Sequence, residues 1–333
     1  LNFDHRFTGK SQPKQRQRLG LIEQASEAGW AAGMFEFPPC IDTQVYFNPA
    51  VRRLKNGDRQ LYARESQWHS HWSGSDNRIV RFDISGNRCI NPKVISGQRV
   101  HPQEQWEDPR ILQVGSKTFL SLAVWFPNQK PILVNQRIVE LGKNDEVIQQ
   151  WSPVYGNNGR NALWNTGNEK NWGWFEYDGE LHFVYNVYPH TVVRTHNDSV
   201  DSIYDTTYAH GWTLGQLRGG TNPIRVGNEF IAFFHSSVPW KSIPKYGERR
   251  RYFMGAYAFE AKPPFKVTRI TAQPLLTGTD LGPVIPGSPA VVFPCGSLFE
   301  GDKFFITYGV NDCASGWVEI PLSHLMDRMK EVK

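Results

Sequence analysis

"EQWEDPRILQVGSKTFLSLAVW", residues 104–125, ends as a β-strand should, with Phe119, Leu120, Leu122, Val124 and Trp125 following a small turn at Gly115. Its beginning is ionisable. Glu107, Asp108 and Arg110 stand directly before the apolar strand, where a sheet core disfavours charge unless it is paired or used.

The same unit recurs along the chain: a polar or Pro-containing lead, a first strand, a tight turn with Gly, and a second, strongly apolar strand. The five copies are "NPAVRRLKNGDRQLYARES", "EDPRILQVGSKTFLSLAVW", "EKNWGWFEYDGELHFVYNVYP", "TNPIRVGNEFIAFFHSSV" and "FPCGSLFEGDKFFITYGVND", with turns at Gly57, Gly115, Gly179, Gly227 and Gly301. Aromatic and β-branched runs broken by Gly, Asn, Asp and Pro are strand signals. Five such units at uneven spacing predict an all-β fold, a five-bladed β-propeller over residues 35–333. A β-sandwich could hold five hairpins, but it would not require the same polar lead before each. One helix stands out before the C-terminus, "RLGLIEQASEAGWAAGM" at 18–34, whose Leu19, Ile22, Ala25 and Ala28/Ala31 give one apolar face. It predicts an N-terminal helical extension over 1–34, outside the blade repeat.

The 333 residues are 39% hydrophobic and 13% aromatic, enough for one large core. The formal charge is +5, and the basic residues are scattered apart from "GKSQPKQRQR" near the start and "ERRR" at 248–251. That balance gives little support for a nucleic-acid partner and leaves small anionic ligands open. There is neither a run of 18 apolar residues nor an initial signal-peptide pattern, so the expectation is a soluble chain without a membrane partner. A removed leader stays open. Cys40, Cys89, Cys295 and Cys313 lack zinc-site spacing. Two disulfides, with the sequon "NDS" at 197–199, would suit a secretory origin, and four free thiols a cytosolic one.

In a propeller the leads and the strand ends after each hairpin can converge at one mouth of the central channel. The leads supply Asn48, Asp108, Glu169, Lys170, Asn171 and Asn222; the tails supply Arg64, His190, His235 and Asp312.

Six motifs in order, "FNPAV…LYARES", "WEDPRI", "EKNW", "GGTNPI…FFHSS", "RRYFMGAYAFE" and "VVFPCGSLF…YGVNDC", span about 45–320. In that order they resemble the β-mannoside phosphorylases of glycoside hydrolase family 130 and the related β-1,2-mannosyltransferases of glycosyltransferase family 108. The resemblance implies an inverting enzyme that cleaves or forms β-mannosidic linkages, β-1,2 being the expected one, with an oligosaccharide as partner. It needs no cofactor, inorganic phosphate or mannose-1-phosphate being a co-substrate. It also implies one general acid, matched by Asp108, acting through a sugar hydroxyl, so the second carboxyl of ordinary glycosidases is replaced by a nucleophile that arrives with the substrate. Without the resemblance, the favoured reading of Asp108-Pro109 is a strand start paired with Arg110.

Phosphate needs fixed cationic and hydroxyl donors. The matched positions are Arg64, Lys170, Arg218 and Tyr252, with His190 a looser match and Arg218 standing where Lys is expected. Sugar recognition calls for planar polar groups and stacking aromatics. Candidates are Asn48, Arg110, Asn171, Asn222, His235 and Asp312, with Trp106 and Trp172 as walls. "WHSHW" at 68–72 sets His69 and His71 two apart, but no third ligand is evident, and no catalytic metal is expected. A transferase or hydrolase on the same scaffold, and a noncatalytic glycan-binding propeller, remain the competing readings.

Overall fold

The computed structural model describes residues 19–39, 44–67, 77–95, 103–126, 134–153, 169–196, 199–243, 247–279 and 290–333. The first sheet runs β2 (Gln44–Arg53), β3 (Arg59–Gln67), β4 (Arg78–Ser85) and β5 (Arg88–Val94), after helix α1 (Leu19–Glu27) and strand β1 (Ala31–Met34). The second holds β6 (Gln105–Val114), β7 (Lys117–Trp125), β8 (Val134–Leu141) and β9 (Val147–Trp151); the third holds β10 (Gly173–Tyr177), β11 (Glu180–Asn186), β12 (His190–His196) and β13 (Ser199–Thr206). All three are antiparallel meanders. Gly57, Gly115, Gly179, Gly227 and Gly301, the predicted turn residues, all have positive φ, the conformation that a side chain disfavours and Gly accepts.

The fourth sheet gathers β14 (Arg218–Gly219), β15 (Ile224–Val226), β16 (Glu229–Ile243), β17 (Gly247–Glu260), β18 (Val267–Thr271) and β19 (Leu276–Thr277). The fifth consists of β20 (Val292–Glu300), β21 (Lys303–Val310) and β22 (Ala314–Pro321), completed by β1 on the outer edge of β22. After α2 (Leu322–Arg328), β23 (Met329–Glu331) returns to the edge of β18 and makes the fourth sheet seven-stranded.

Neighbouring sheets are glued by apolar cores, and in β7 the two faces serve two of them. Leu120, Leu122 and Val124 pack toward Tyr62 and Ile79 of the first sheet, whereas Phe119 packs with Trp174 and Phe183 of the third. That is the period-two alternation of a strand, with both faces apolar because both are covered. Phe175 and Val192 meet Phe230 and Tyr257 between the third and fourth sheets, and Phe233 and Met254 meet Val292 and Ile306 between the fourth and fifth. Val51, Leu61 and Phe82 meet Phe305, joining the first sheet to the fifth. The result is an all-β, propeller-like fold with very few helices.

Two expectations are corrected. Four of the sheets have the four-stranded form of a blade, not five, because the fourth is enlarged. Its strands β16 and β17, of 15 and 14 residues, are long enough to pair with short strands at several points. The helix expected over 18–34 ends at Glu27: Gly29, at φ 75°, closes it, and Ala31–Met34 turn into β1. The boundary expected at residue 34 therefore falls after a strand that belongs to the fifth sheet.

Among the described residues no helix is long and apolar enough to cross a membrane. Among the described residues, Cys89, Cys295 and Cys313 are buried thiols with no disulfide between them. Cys40, Asn197 of the sequon, the His69/His71 pair and the basic stretch at 9–18 lie outside the described residues.

Candidate active site

Two β-bulges build the centre of the site. The β2–β3 register shifts between Phe47 and Ala50, and the β6–β7 register shifts between Glu107 and Arg110. Within them Asn48 and Asp108 adopt positive φ, 50° and 49°, which Asn and Asp tolerate better than other side chains do. A bulge re-aims the side chain it carries. Here Asn48 Nδ2 donates to Asp108 Oδ1 at 2.7 Å, joining two leads 60 residues apart.

Arg64, in β3, stands beside them. Its Nη2 lies 2.5 Å from Glu107 Oε1 and its Nη1 3.7 Å from Asp108 Oδ1, while its Nε donates to Asn77 Oδ1 at 3.3 Å. The guanidinium also lies over the Phe47 ring, 4.8 Å from its centroid. Burial alone would raise the pKa of Asp108, but Arg64, Lys170, the Asn48 hydrogen bond and Arg110 outweigh it and hold the carboxyl below its usual range. Glu107 goes the other way, pushed up by burial and by the charge of Asp108. Asp312, in a turn after β21 where Asn311 and Asp312 both have positive φ, is pushed up to about 6 by burial, with Asp108 and Glu107 adding to the rise against Arg64 and Lys170. Three carboxyls and two cations thus act on one another.

The fourth sheet closes the other side. Arg218 pairs with His235 across β14 and β16. Burial, with the charges of Arg218 and Arg110, lowers the pKa of His235 to about 3. The ring is therefore neutral, and its Nδ1, 2.9 Å from the Gly219 carbonyl, carries the proton and donates it there. Tyr252 stacks on His235 at 5.9 Å, and its hydroxyl is kept protonated by burial and by the charge of Asp312. Asn48, Arg64 and Asp108 are thus joined by direct contacts, Lys170 and Asp312 interact electrostatically with that cluster, and Arg218 and Tyr252 flank His235.

The remaining candidates brace the walls. Arg110 is 1% exposed: its Nε donates to the Gly220 carbonyl, its Nη1 to the Asp108 carbonyl at 3.2 Å and its Nη2 to Asn171 Oδ1 at 3.3 Å. Asn222 accepts from the Trp174 amide at 2.9 Å and donates to the Ile111 carbonyl at 3.0 Å, linking the lead of the fourth sheet to the second and third. Trp106 is enclosed in the core between the first two sheets and donates to Glu104, and Trp172 stacks on Phe183 at 4.4 Å. Neither is a sugar wall: each indole is buried in an apolar core between sheets. His190 lies fully buried against Tyr257 and Phe259, its pKa lowered by burial to about 3, so it belongs to the aromatic core and not to the cationic set. The reading of the sequence gave no role to Asn77 and Glu107. The adjacent Glu-Asp pair was the one signal that could have found the latter.

The arrangement offers cations, a neutral phenol and an ionised buried carboxyl around one point. It can receive an anion next to a group able to give and take a proton.

Residues 184–331 match the glycoside hydrolase family 130 model described as β-1,4-mannooligosaccharide phosphorylase. The β-1,2-mannobiose phosphorylase of Listeria innocua is 26% identical over 116 residues, a stretch that spans 35% of this chain and 30% of that protein. The Listeria innocua β-1,2-mannobiose phosphorylase solved with β-1,2-mannobiose superposes with a TM-score of 0.61 at 16% identity, covering 87% of this chain and 94% of that one. MPT-4, a mannose phosphorylase from Leishmania mexicana solved with phosphate ion, gives 0.61 at 13% identity over 94% and 96%. In sequence its C-terminal part resembles glycoside hydrolase family 130, and over most of its length the chain shares the fold of the phosphorylases solved from Listeria innocua and Leishmania mexicana.

Proposed function

We propose that the protein is an inverting β-mannoside phosphorylase that also runs in reverse, extending a β-mannoside from mannose-1-phosphate, with β-1,2 as the first linkage to test. In this reading the fold is a five-bladed propeller in which the seven-stranded sheet is an enlarged fourth blade. Residues 35–333 are the catalytic domain, and 1–34 are an extension that lends β1 to the last blade. Asp108 is the general acid. Arg64, Lys170, Arg218 and Tyr252 hold the phosphate; Asn48, His235 and Asp312 read sugar hydroxyls, while Arg110, Asn171 and Asn222 keep the walls in place.

A phosphate oxygen attacks the anomeric carbon as the bond to the leaving oxygen breaks on the opposite face. The proton of Asp108 passes through a sugar hydroxyl to that oxygen, giving α-mannose-1-phosphate and a shortened glycan. No cofactor takes part. The observation that carries the reading is the buried Asp108 carboxyl held by Asn48 at 2.7 Å and flanked by Arg64 at 3.7 Å. Arginine and lysine at the nucleophile position favour phosphate over water, because hydrolysis needs a carboxylate base, and Glu107 is already engaged by Arg64.

The test is phosphate release from mannose-1-phosphate across a panel of mannoside acceptors, with Asp108→Asn beside the wild type. Turnover by the wild type should fall about 10² to 10⁴-fold in the variant, and a mannoside with an acidic leaving group should recover part of it. Near-normal turnover by Asp108→Asn on native glycan would refute the assignment.

A further inference from the structure

Arg64 is held on three edges, and the hold is not centred on Asp108. Its Nη2 and the Asn77 amide both donate to the same oxygen, Glu107 Oε1, at 2.5 and 3.1 Å, and Asn77 Oδ1 takes the Arg64 Nε proton at 3.3 Å. Asn77 is itself fixed by its backbone N–H, which donates to Gln105 Oε1 at 2.7 Å. The ring Arg64, Glu107, Asn77 is buried, with the Arg64 and Glu107 side chains 10% and 12% exposed and Asn77 at 0%. In such surroundings a guanidinium pairs with whichever carboxylate can reach it. Asp108 is the next one, and its Oδ1 lies 3.7 Å from Nη1, just beyond a hydrogen bond.

We infer that Glu107 is a positioning residue: it draws Arg64 back from Asp108, so that the Nη1 edge stays available to an incoming phosphate oxygen and the Asp108 carboxyl stays available to a proton. This rests on the phosphorylase reading of the site. The adjacent residues of the β6 bulge divide the work: Asp108 faces the substrate, and Glu107 holds the cation that would otherwise neutralise it. Replacing Glu107 by an amide of the same shape removes the competing charge. Arg64 then swings to the remaining carboxylate and closes the 3.7 Å gap. That pairing blocks the phosphate donor and holds Asp108 ionised.

The test uses the full chain with Glu107→Gln, Glu107→Asp, Arg64→Ala and the Glu107→Gln/Arg64→Ala double variant. In Glu107→Gln the KM for inorganic phosphate should rise about tenfold or more, the loss expected for one charge-assisted hydrogen bond, while the KM for the mannoside changes far less. Glu107→Asp should recover part of the phosphate affinity. In the Arg64→Ala background Glu107→Gln should add nothing to the phosphate KM, because the residue through which it acts is gone. A crystal structure of Glu107→Gln should show Arg64 Nη1 in contact with Asp108. Equal rises in both KM values, additive effects in the double variant, or an unmoved Arg64 each overturn the proposal. If Glu107→Gln does not fold, the same measurements on Glu107→Asp decide, since a shorter carboxylate must also displace Arg64. Wild-type protein without phosphorolysis would sink the functional reading alone, and the position of Arg64 in the variant crystal would still decide for or against Glu107.

Discussion

Asn48 donates its side-chain amide to Asp108 at 2.7 Å, and both residues sit at positive φ on bulges of neighbouring sheets. The bond stabilises the ionised carboxyl and fixes its orientation. Asn48→Ala should therefore keep the fold and lower turnover about tenfold, the cost of one buried hydrogen bond to a charged group. Gly309→Ala should act in the same direction without touching substrate, because a Cβ there would overlap Asn48 Oδ1 and push the amide away. Turnover of the two variants on one mannoside, with far-ultraviolet circular dichroism as the folding control, checks the pair.

Phosphate binding should take up a proton. In the free site Glu107, Asp108 and Asp312 stand against Arg64, Lys170 and Arg110, and Asp108 is kept ionised by those cations. A phosphate dianion drawn to Arg64 and Lys170 offsets their charge and raises the pKa of the carboxyls beside it, so the acid loads when the nucleophile arrives. Calorimetry at pH 8 in two buffers of different ionisation enthalpy should show a buffer-dependent heat in the wild type, reduced in Asp108→Asn. Identical heats in both buffers would contradict this coupling.

Asp312 gives a pH-dependent stability term of known sign. Its folded pKa, about 6, lies above the ordinary 3.8 expected when unfolded, so the folded chain binds the proton more tightly. The stability this contributes is fully present below about pH 4 and is lost as pH rises through about 6. Asp312→Asn removes that loss. It should raise the melting temperature at pH 8, by an amount corresponding to about 3 kcal/mol, and leave it nearly unchanged at pH 4. A variant that melts lower at pH 8 would show that the carboxylate is net stabilising there.

The seam between chain ends should be sensitive at Gly33. Gly33 faces Trp317 in the β1–β22 register, and a Cβ there would stand 2.8 Å from three atoms of the indole. Gly33→Val should destabilise the protein by about 1 to 3 kcal/mol through overpacking, read as a lower denaturation midpoint, with kcat unchanged because the seam lies on the outer edge of the fifth sheet. An unaltered midpoint would mean that β1 contributes nothing to closure.

The hairpins were legible in the sequence because their signals are local. Alternation along β7, the Gly turns and the Asn-Pro and Asp-Pro leads each specify a few residues of backbone, and the five Gly turns stand where they were read. The Asn48 and Asp108 leads do meet, since a repeat of hairpins leaves such positions at equivalent places. Which lead residues face the site was not legible. Trp106, Glu107 and Asp108 are consecutive, yet one fills the core between sheets, one binds Arg64 and one meets Asn48. The bulge that separates them exists only once β6 is paired with β7. The pairing of β1 with β22, of β23 with β18, and the enlargement of the fourth sheet likewise depend on partners far away in sequence. Local pattern determined the elements of this protein; hydrogen bonding and burial between distant segments decided which of its ionisable groups share a charge.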